Sequence, residues 1–140
     1  MDRRTFIQAG LIGTGSTFIA PKLVLANQPD PMAGGLYYTS NAPGRWSKKV
    51  KSHLPNIEVA KTPDGTTIQV ITRHTMEEYD HYIIKHILLD GNYRFIAENM
   101  FNPLKTKEPI SVFSLKQYSG PVYALSVCNK HDTWLNVAEI

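Results

Sequence analysis

Seven short β-rich runs predict that this 140-residue chain folds as an all-β antiparallel sandwich or barrel. Turn residues separate the runs, most clearly Pro63-Asp64-Gly65 and Asp90-Gly91-Asn92. A mass of 15.8 kDa with 42% apolar residues is enough for one compact domain and too little for several. We therefore expect a single β domain preceded by a leader.

The part of the chain before the strands is rich in proline, glycine, asparagine and serine. This composition predicts an extended, loosely held lead-in over residues 27–50, with the folded domain over residues 51–140. The best candidate for a short helix is the segment 46–53, which crosses this boundary.

The predicted strands are residues 57–60, 66–73, 81–89, 93–98, 110–117, 122–127 and 134–138. Side chains alternate between the two faces of a strand, and the third run carries apolar residues on both faces. This predicts a central position for the third strand. The Asp90-Gly91 pair predicts a hairpin between the third and fourth strands.

Charge and cysteine content exclude several classes of protein. The net charge of +3, from 15 Lys+Arg and 12 Asp+Glu, is too small to indicate a nucleic-acid partner. A single cysteine, Cys128, excludes an intramolecular disulfide and any all-cysteine zinc or iron–sulfur site.

Residues 1–26 resemble a twin-arginine export signal. Arg3 and Arg4 are followed two positions later by Phe6, then by a weakly apolar stretch and by small residues that end at Ala26. The apolar stretch is shorter than the roughly 20 residues of a spanning helix, although a retained N-terminal anchor stays open. The resemblance predicts recognition by the twin-arginine translocase and a periplasmic or otherwise exported protein. Because that route is associated with proteins that acquire a cofactor before crossing the membrane, an inserted metal is our working hypothesis.

Histidines and the single cysteine are the candidate metal ligands. Cys128 and His131 form a Cys-x-x-His at the end of a predicted strand, a spacing that metal sites commonly use. His74 ends one predicted strand and His81 begins the next, so we expect the seven-residue loop to return them to the same end of a sheet. The other two histidines are His53 and His86.

Three segments then stand in order along the chain: Ser-His-Leu-Pro-Asn-Ile-Glu at 52–58, His-Thr-Met-Glu-Glu-Tyr-Asp-His-Tyr-Ile at 74–83 and Cys-Asn-Lys-His-Asp-Thr-Trp at 128–134. With these segments the chain resembles the superoxide reductase family, which includes the neelaredoxins and the iron-binding domain of desulfoferrodoxins. The Cys-Asn-x-His-x-x-Trp segment is the most specific of the three. The resemblance implies an immunoglobulin-like β-sandwich or barrel, in agreement with the seven runs.

The resemblance also implies a metal site and an activity. The implied cofactor is one mononuclear non-haem iron per chain, Fe2+/Fe3+, with His53, His74, His81 and His131 in a plane and Cys128 as the axial ligand. The implied reaction is the one-electron reduction of superoxide to hydrogen peroxide, with no release of dioxygen. An external electron donor is then needed, such as a c-type cytochrome or a small redox carrier, and a homo-oligomer stays open.

The chain departs from the family pattern immediately before the first histidine. The family carries an acidic residue and a lysine there, and this chain carries Lys51 and Ser52. We expect Lys51 to guide the superoxide anion, with Lys48 or Lys49 as alternatives. The other interpretation is that Lys51 belongs to a solvent-exposed charged surface without a role in the reaction.

Other interpretations stay open at this point. His86 could replace His81 as a ligand, although the two lie on opposite faces of the predicted strand. The chain could also be a non-catalytic iron-binding or electron-transfer protein on the same fold, or a metal-free binding sandwich with a buried thiol.

Overall fold

Two antiparallel sheets enclose the core in the computed structural model, which describes residues 30–140. The predicted signal, residues 1–26, lies outside the described residues. A 3₁₀ helix (Gly44–Lys49) and a short helix α1 (Val50–His53) precede the strands. The strands are β1 (Asn56–Thr62), β2 (Gly65–Ile71), β3 (Ile83–Leu89), β4 (Phe95–Met100), β5 (Ile110–Leu115), β6 (Pro121–Cys128) and β7 (Asp132–Glu139).

The strand order confirms the predicted all-β architecture. One sheet has the order β1-β2-β5 and the other the order β4-β3-β6-β7, with every named pair antiparallel. Strand β3 therefore lies inside its sheet, as its apolar content on both faces predicted. The predicted helical segment 46–53 coincides with the 3₁₀ helix and α1.

The inward faces of both sheets form one apolar core. Alternate residues of β2 and β6 are buried, as the two-residue period of a strand requires. The buried cluster joins β2 and β5 of one sheet to β3 and β6 of the other; its members are Ile68, Val70, Leu88, Phe113, Val122 and Ala124. Cys128 ends the inward row of β6, so its thiol lies at one end of the sandwich interior.

The predicted hairpin between β3 and β4 is confirmed, but its left-handed residue is not the glycine. The Asp90 carboxylate accepts the backbone N–H groups of Asn92 and Arg94 at 2.8 and 2.9 Å. This arrangement places Tyr93, with φ +65°, in the left-handed region. A side chain that accepts from the turn backbone can stabilise a conformation that glycine would otherwise supply.

The lead-in is held more firmly than its composition predicts. Tyr38 is 3% exposed, and its backbone forms a parallel bridge with Trp134 on the edge strand β7. Its N–H donates to Thr133 at 3.0 Å, and its carbonyl accepts from Leu135 at 2.8 Å. Burial of the aromatic ring against Trp134, 5.6 Å between centroids, accounts for this attachment. In the part of the chain that the structure describes, no helix has the length and apolar character needed to cross a membrane.

Candidate metal centre

Four histidines and Cys128 meet at one end of the sandwich, where three separate pieces of chain come together. His53 is the last residue of α1, and Cys128 is the last residue of β6. His74 and His81 lie on the segment between β2 and β3, and His131 lies in the hairpin between β6 and β7. The structure thus brings together all five residues that the family resemblance implies as ligands.

The segment that carries His74 and His81 differs from the expectation in one respect. Strands β2 and β3 belong to different sheets, so this segment crosses between the sheets and does not turn back within one. The two histidines lie outside both strands, and an antiparallel bridge between Glu77 and His81 closes the loop on itself. The crossing still brings the two Nε2 atoms to 3.0 Å from each other.

The ring nitrogens of the four histidines lie close together, and the three measured separations are nearly equal. His131 Nδ1 lies 3.1 Å from His53 Nε2 and 3.0 Å from His81 Nε2. The His74 to His81 separation of 3.0 Å continues the series. Neighbouring rings in the order 53, 74, 81 and 131 lie 4.4 to 4.8 Å apart between centroids, whereas His53 and His81 lie 5.9 Å apart. Three nitrogen separations are thus about 3 Å, and the ring centroids place His53 and His81 across from each other; we call these four nitrogens the square.

The thiol of Cys128 lies against this square. Its Sγ is 3.9 Å from His74 Nε2 and 3.7 Å from His131 Nδ1. The hairpin that follows it has three residues and ends at Asp132, whose φ of +67° is the left-handed conformation that such short loops use. This tight turn brings the side chains at positions 128 and 131 to the same point.

Burial and the local backbone act in opposite directions on the thiol. Burial raises the pKa of Cys128, and the backbone N–H groups of Lys130 and His131 lower it. The Lys130 N–H donates to Sγ at 3.5 Å. Without a metal the thiol is therefore protonated at neutral pH, while donors are already directed at the sulfur to stabilise a thiolate.

The imidazoles of His53, His74 and His131 are neutral at physiological pH. Burial, and next the neighbouring imidazoles, lower the pKa of His53 to about 3 and that of His74 to about 4. The pKa of His131 is also lowered, first by burial and then by the charges of His81 and Lys49. Neutral imidazole is the form that binds a metal ion.

The orientation of His53 is fixed from outside the square. Its Nδ1 lies 3.2 Å from the carbonyl of Lys49 and 2.7 Å from the hydroxyl of Ser52. A proton on Nδ1 donates to that carbonyl, which leaves the lone pair of Nε2 directed at the centre. Ser52, whose position departs from the family pattern, therefore contacts a candidate ligand directly.

His131 is held by two tryptophans. Trp134 Nε1 donates to the His131 carbonyl at 2.9 Å, and the Trp46 ring meets the His131 ring edge-on at 4.7 Å. Trp46 Nε1 also donates to the Asp132 carboxylate at 2.8 Å, beside an Arg45 ion pair at 2.7 Å. These contacts hold the 3₁₀ helix against the Cys-x-x-His hairpin. No local sequence pattern indicates these contacts, since Arg45 and Asp132 lie 87 positions apart.

His86 lies elsewhere, within the sandwich. Its ring is fully buried, with Nε2 at 2.8 Å from the Thr72 hydroxyl and Nδ1 at 2.8 Å from the Ser111 hydroxyl. Of the two alternatives for the ligand set, the structure brings His81 and not His86 to the square.

The lysines before His53 differ in their relation to the site. The positive charge of Lys49, which is half-buried, lowers the pKa of both His74 and His131. Lys51 is exposed and shares a surface cleft with Leu54 and Arg73. Of the lysines before His53, Lys49 is therefore the one whose charge lowers the pKa of site imidazoles, as Lys130 also does for His131, whereas the sequence nominated Lys51 first.

The residues present fit a transition-metal ion. The ligand atoms of His53, His74, His81 and Cys128 all lie within 4.8 Å of one another. A proton can bridge one pair of imidazole nitrogens, but four nitrogens that converge leave lone pairs facing each other unless a cation separates them. Two nitrogens at right angles around a metal, each at about 2.1 Å, lie about 3 Å apart, which is the spacing along the square. A set of four imidazoles and one thiolate suits iron, copper or zinc and does not suit magnesium or calcium.

Comparisons with known proteins agree with this geometry. The desulfoferrodoxin family model matches residues 45–137. No curated protein matches the chain. The solved superoxide reductase (neelaredoxin) from Ignicoccus hospitalis is 29% identical over 76% of this chain and 95% of its own, with a TM-score of 0.63.

Two further structures are similar. A single-substitution variant of the Ignicoccus hospitalis protein is 27% identical over 81% of this chain and 98% of its own, with a TM-score of 0.65. The reduced superoxide reductase (neelaredoxin) from Archaeoglobus fulgidus is 24% identical over 75% of this chain and 98% of its own, with a TM-score of 0.57. At that identity the last comparison is evidence for the shared fold alone.

Proposed function

The chain belongs to the desulfoferrodoxin family, and from this premise we propose that it is an iron superoxide reductase. The observation that carries the proposal is the square of four imidazole nitrogens, 3.0 to 3.1 Å along the measured sides, with a cysteine sulfur beside it. Similarity to the superoxide reductase of Ignicoccus hospitalis supports the same activity.

The proposed ligands are the four histidines of the square and Cys128. Iron held by them would supply the single electron that reduces superoxide to hydrogen peroxide. Four neutral imidazoles add no charge to the site, so the thiolate is the one anionic donor and raises the electron density available for reduction. The backbone N–H of Lys130, 3.5 Å from Sγ, stabilises that thiolate.

We propose that Lys49 guides superoxide to the site, with Lys51 as the alternative. Superoxide is an anion, and a positive charge at the entrance raises its local concentration. The influence of Lys49 on the pKa of two site histidines supports this choice. In the proposed reaction, the protons for the peroxide product come from solvent.

A second candidate function follows from Ser52. Its hydroxyl is 2.7 Å from His53 Nδ1, at a position where the resemblance predicts a charged residue that serves the reaction. A non-catalytic iron-binding or electron-transfer protein would keep such a ligand-orienting contact and have no need of the charge. Azide and cyanide separate the candidates, because a reductase binds them at an open iron position and a closed electron carrier does not.

We also propose that residues 1–26 direct export through the twin-arginine translocase. The periplasmic protein would then receive electrons from an external donor, such as a c-type cytochrome or a small redox carrier. Replacing Arg3 and Arg4 by lysine should retain a tagged full-length chain in the cytoplasm. Unchanged export of that variant would contradict the proposal.

The visible spectrum of the oxidised, iron-loaded protein tests the proposed site. A thiolate-to-iron charge-transfer band is expected in the wild type and should be absent in Cys128→Ala. A matched control is His86→Gln, which changes a buried histidine outside the square and should keep the band. Loss of the band in both variants, or its survival without Cys128, would contradict the proposed ligand set.

A further inference from the structure

We infer that Asn129 is a positioning residue that holds two pairs of the proposed ligands in place relative to each other. One pair, His74 and His81, lies on the segment that crosses between the sheets. The other pair, Cys128 and His131, lies at the end of β6 and in the hairpin that follows it. This inference rests on the proposed metal site and adds a residue whose side chain bonds to backbone atoms of the crossing segment.

Four hydrogen bonds connect Asn129 to the crossing segment. The backbone N–H of Asn129 donates to the Tyr82 carbonyl at 3.2 Å, and the side-chain Oδ1 accepts from the Tyr82 N–H at 3.0 Å. The side-chain Nδ2 donates to the carbonyls of Asp80 and Tyr79 at 3.0 and 3.4 Å. Three of the four bonds therefore depend on the amide side chain, and they enclose the backbone on both sides of His81.

The position of these bonds explains why they matter for the metal. Asn129 follows Cys128 directly and lies two residues before His131. If its hydrogen bonds shift, the distance from His81 to Cys128 and His131 changes. The His81 Nε2 to His131 Nδ1 separation of 3.0 Å spans that junction. The Glu77 to His81 bridge fixes the loop only to itself.

The same contacts contribute little to the stability of the fold. Asn129 is exposed, and hydrogen bonds open to water exchange with solvent at little net cost. The ion pair between Lys130 and Asp80, which joins the same two segments, is also exposed and is weak for the same reason. Loss of the Asn129 side chain should therefore change metal binding more than folding.

A titration of the metal-free full chain with Co2+ tests the inference, because it needs neither superoxide nor iron redox chemistry. Residues that orient metal ligands typically change affinity by 10- to 100-fold. Asn129→Ala should bind Co2+ about tenfold more weakly than the wild type, with a shifted thiolate charge-transfer band and nearly unchanged thermal unfolding of the metal-free protein. Asn129→Asp keeps an acceptor for the Tyr82 N–H and should lie between the two.

A matched control is Asn102→Ala, which removes a single side-chain bond of asparagine to the backbone N–H of Leu104, in the loop between β4 and β5. It should bind Co2+ as the wild type does. An Asn129→Ala protein with wild-type affinity and spectrum would overturn the inference, as would an equal loss in the control. A wild type that binds Co2+ through its thiolate but does not react with superoxide would overturn the proposed function alone.

Discussion

Acidification from pH 7 to pH 5 should cost the metal-free protein about 2 kcal/mol of unfolding free energy through His86 alone. Burial lowers the pKa of His86 to about 4, against 6.5 for an unperturbed histidine. The unfolded chain therefore takes up a proton below pH 6.5, while the folded chain resists it down to about pH 4. Stability from this residue is complete above that window and is lost as the pH falls through it.

The hydrogen bonds around His86 explain why its neutral form is favoured. Asn99 donates to the Ser111 hydroxyl at 3.0 Å, and that hydroxyl lies 2.8 Å from Nδ1. On the other side, Thr72 donates to Ser126 at 2.9 Å and so accepts from Nε2 at 2.8 Å. Each ring nitrogen has one partner in the neutral tautomer, and a second proton would place a positive charge on a fully buried ring. A pKa difference of 2.5 corresponds to about 3 kcal/mol when the transition is complete.

Denaturant unfolding of the metal-free protein at pH 7 and pH 5 measures this loss. Protonation of His53 and His74 also lowers the free energy of unfolding in that range. The wild type is therefore compared with His86→Gln, whose amide reaches Thr72 without titrating. Every titrating group except residue 86 contributes equally to the change in unfolding free energy of the two proteins between pH 7 and pH 5. The wild type should lose about 2 kcal/mol more than the variant between the two pH values. Equal losses would refute the role assigned to His86.

Three further predictions concern the site. Ser52→Ala should weaken Co2+ binding by about tenfold, because the His53 ring loses a partner at 2.7 Å; unchanged affinity would contradict this. Lys49→Met should slow the reaction with superoxide several-fold and flatten its dependence on salt, whereas Lys51→Met should have the smaller effect; the reverse order would assign the anion guide to Lys51. Because burial raises the pKa of Cys128, Co2+ binding should release a proton and strengthen about tenfold per pH unit between pH 7 and 8, and a pH-independent affinity would argue against the thiolate ligand.

Much of the fold could be predicted because it depends on local patterns. Alternation along each strand and the Asp90-Gly91 turn predicted seven strands, a central third strand and the hairpin that follows it. The pattern could not assign strands to sheets, since the next strand after a loop can pair with the previous one or cross to the opposite sheet. The crossing between β2 and β3 is such a case.

The candidate site could likewise be predicted from the sequence only in part. Spacing indicated Cys128 with His131 and His74 with His81, and the family resemblance completed the set with His53; the structure brings the five together. Contacts between residues far apart in the chain could not be predicted from the sequence. Asp132 pairs with Arg45, Asn129 encloses the backbone around His81, and Tyr38 binds the edge of β7. Each of these depends on which loops meet at the end of the sandwich, and no local pattern records that.

Pulse radiolysis of the ferrous, iron-loaded protein tests the central claim most directly. We predict rapid oxidation of one iron per superoxide, with hydrogen peroxide formed in equal amount and no dioxygen released. Iron that is bound through Cys128 but oxidised slowly or not at all by superoxide would contradict the proposed reductase activity.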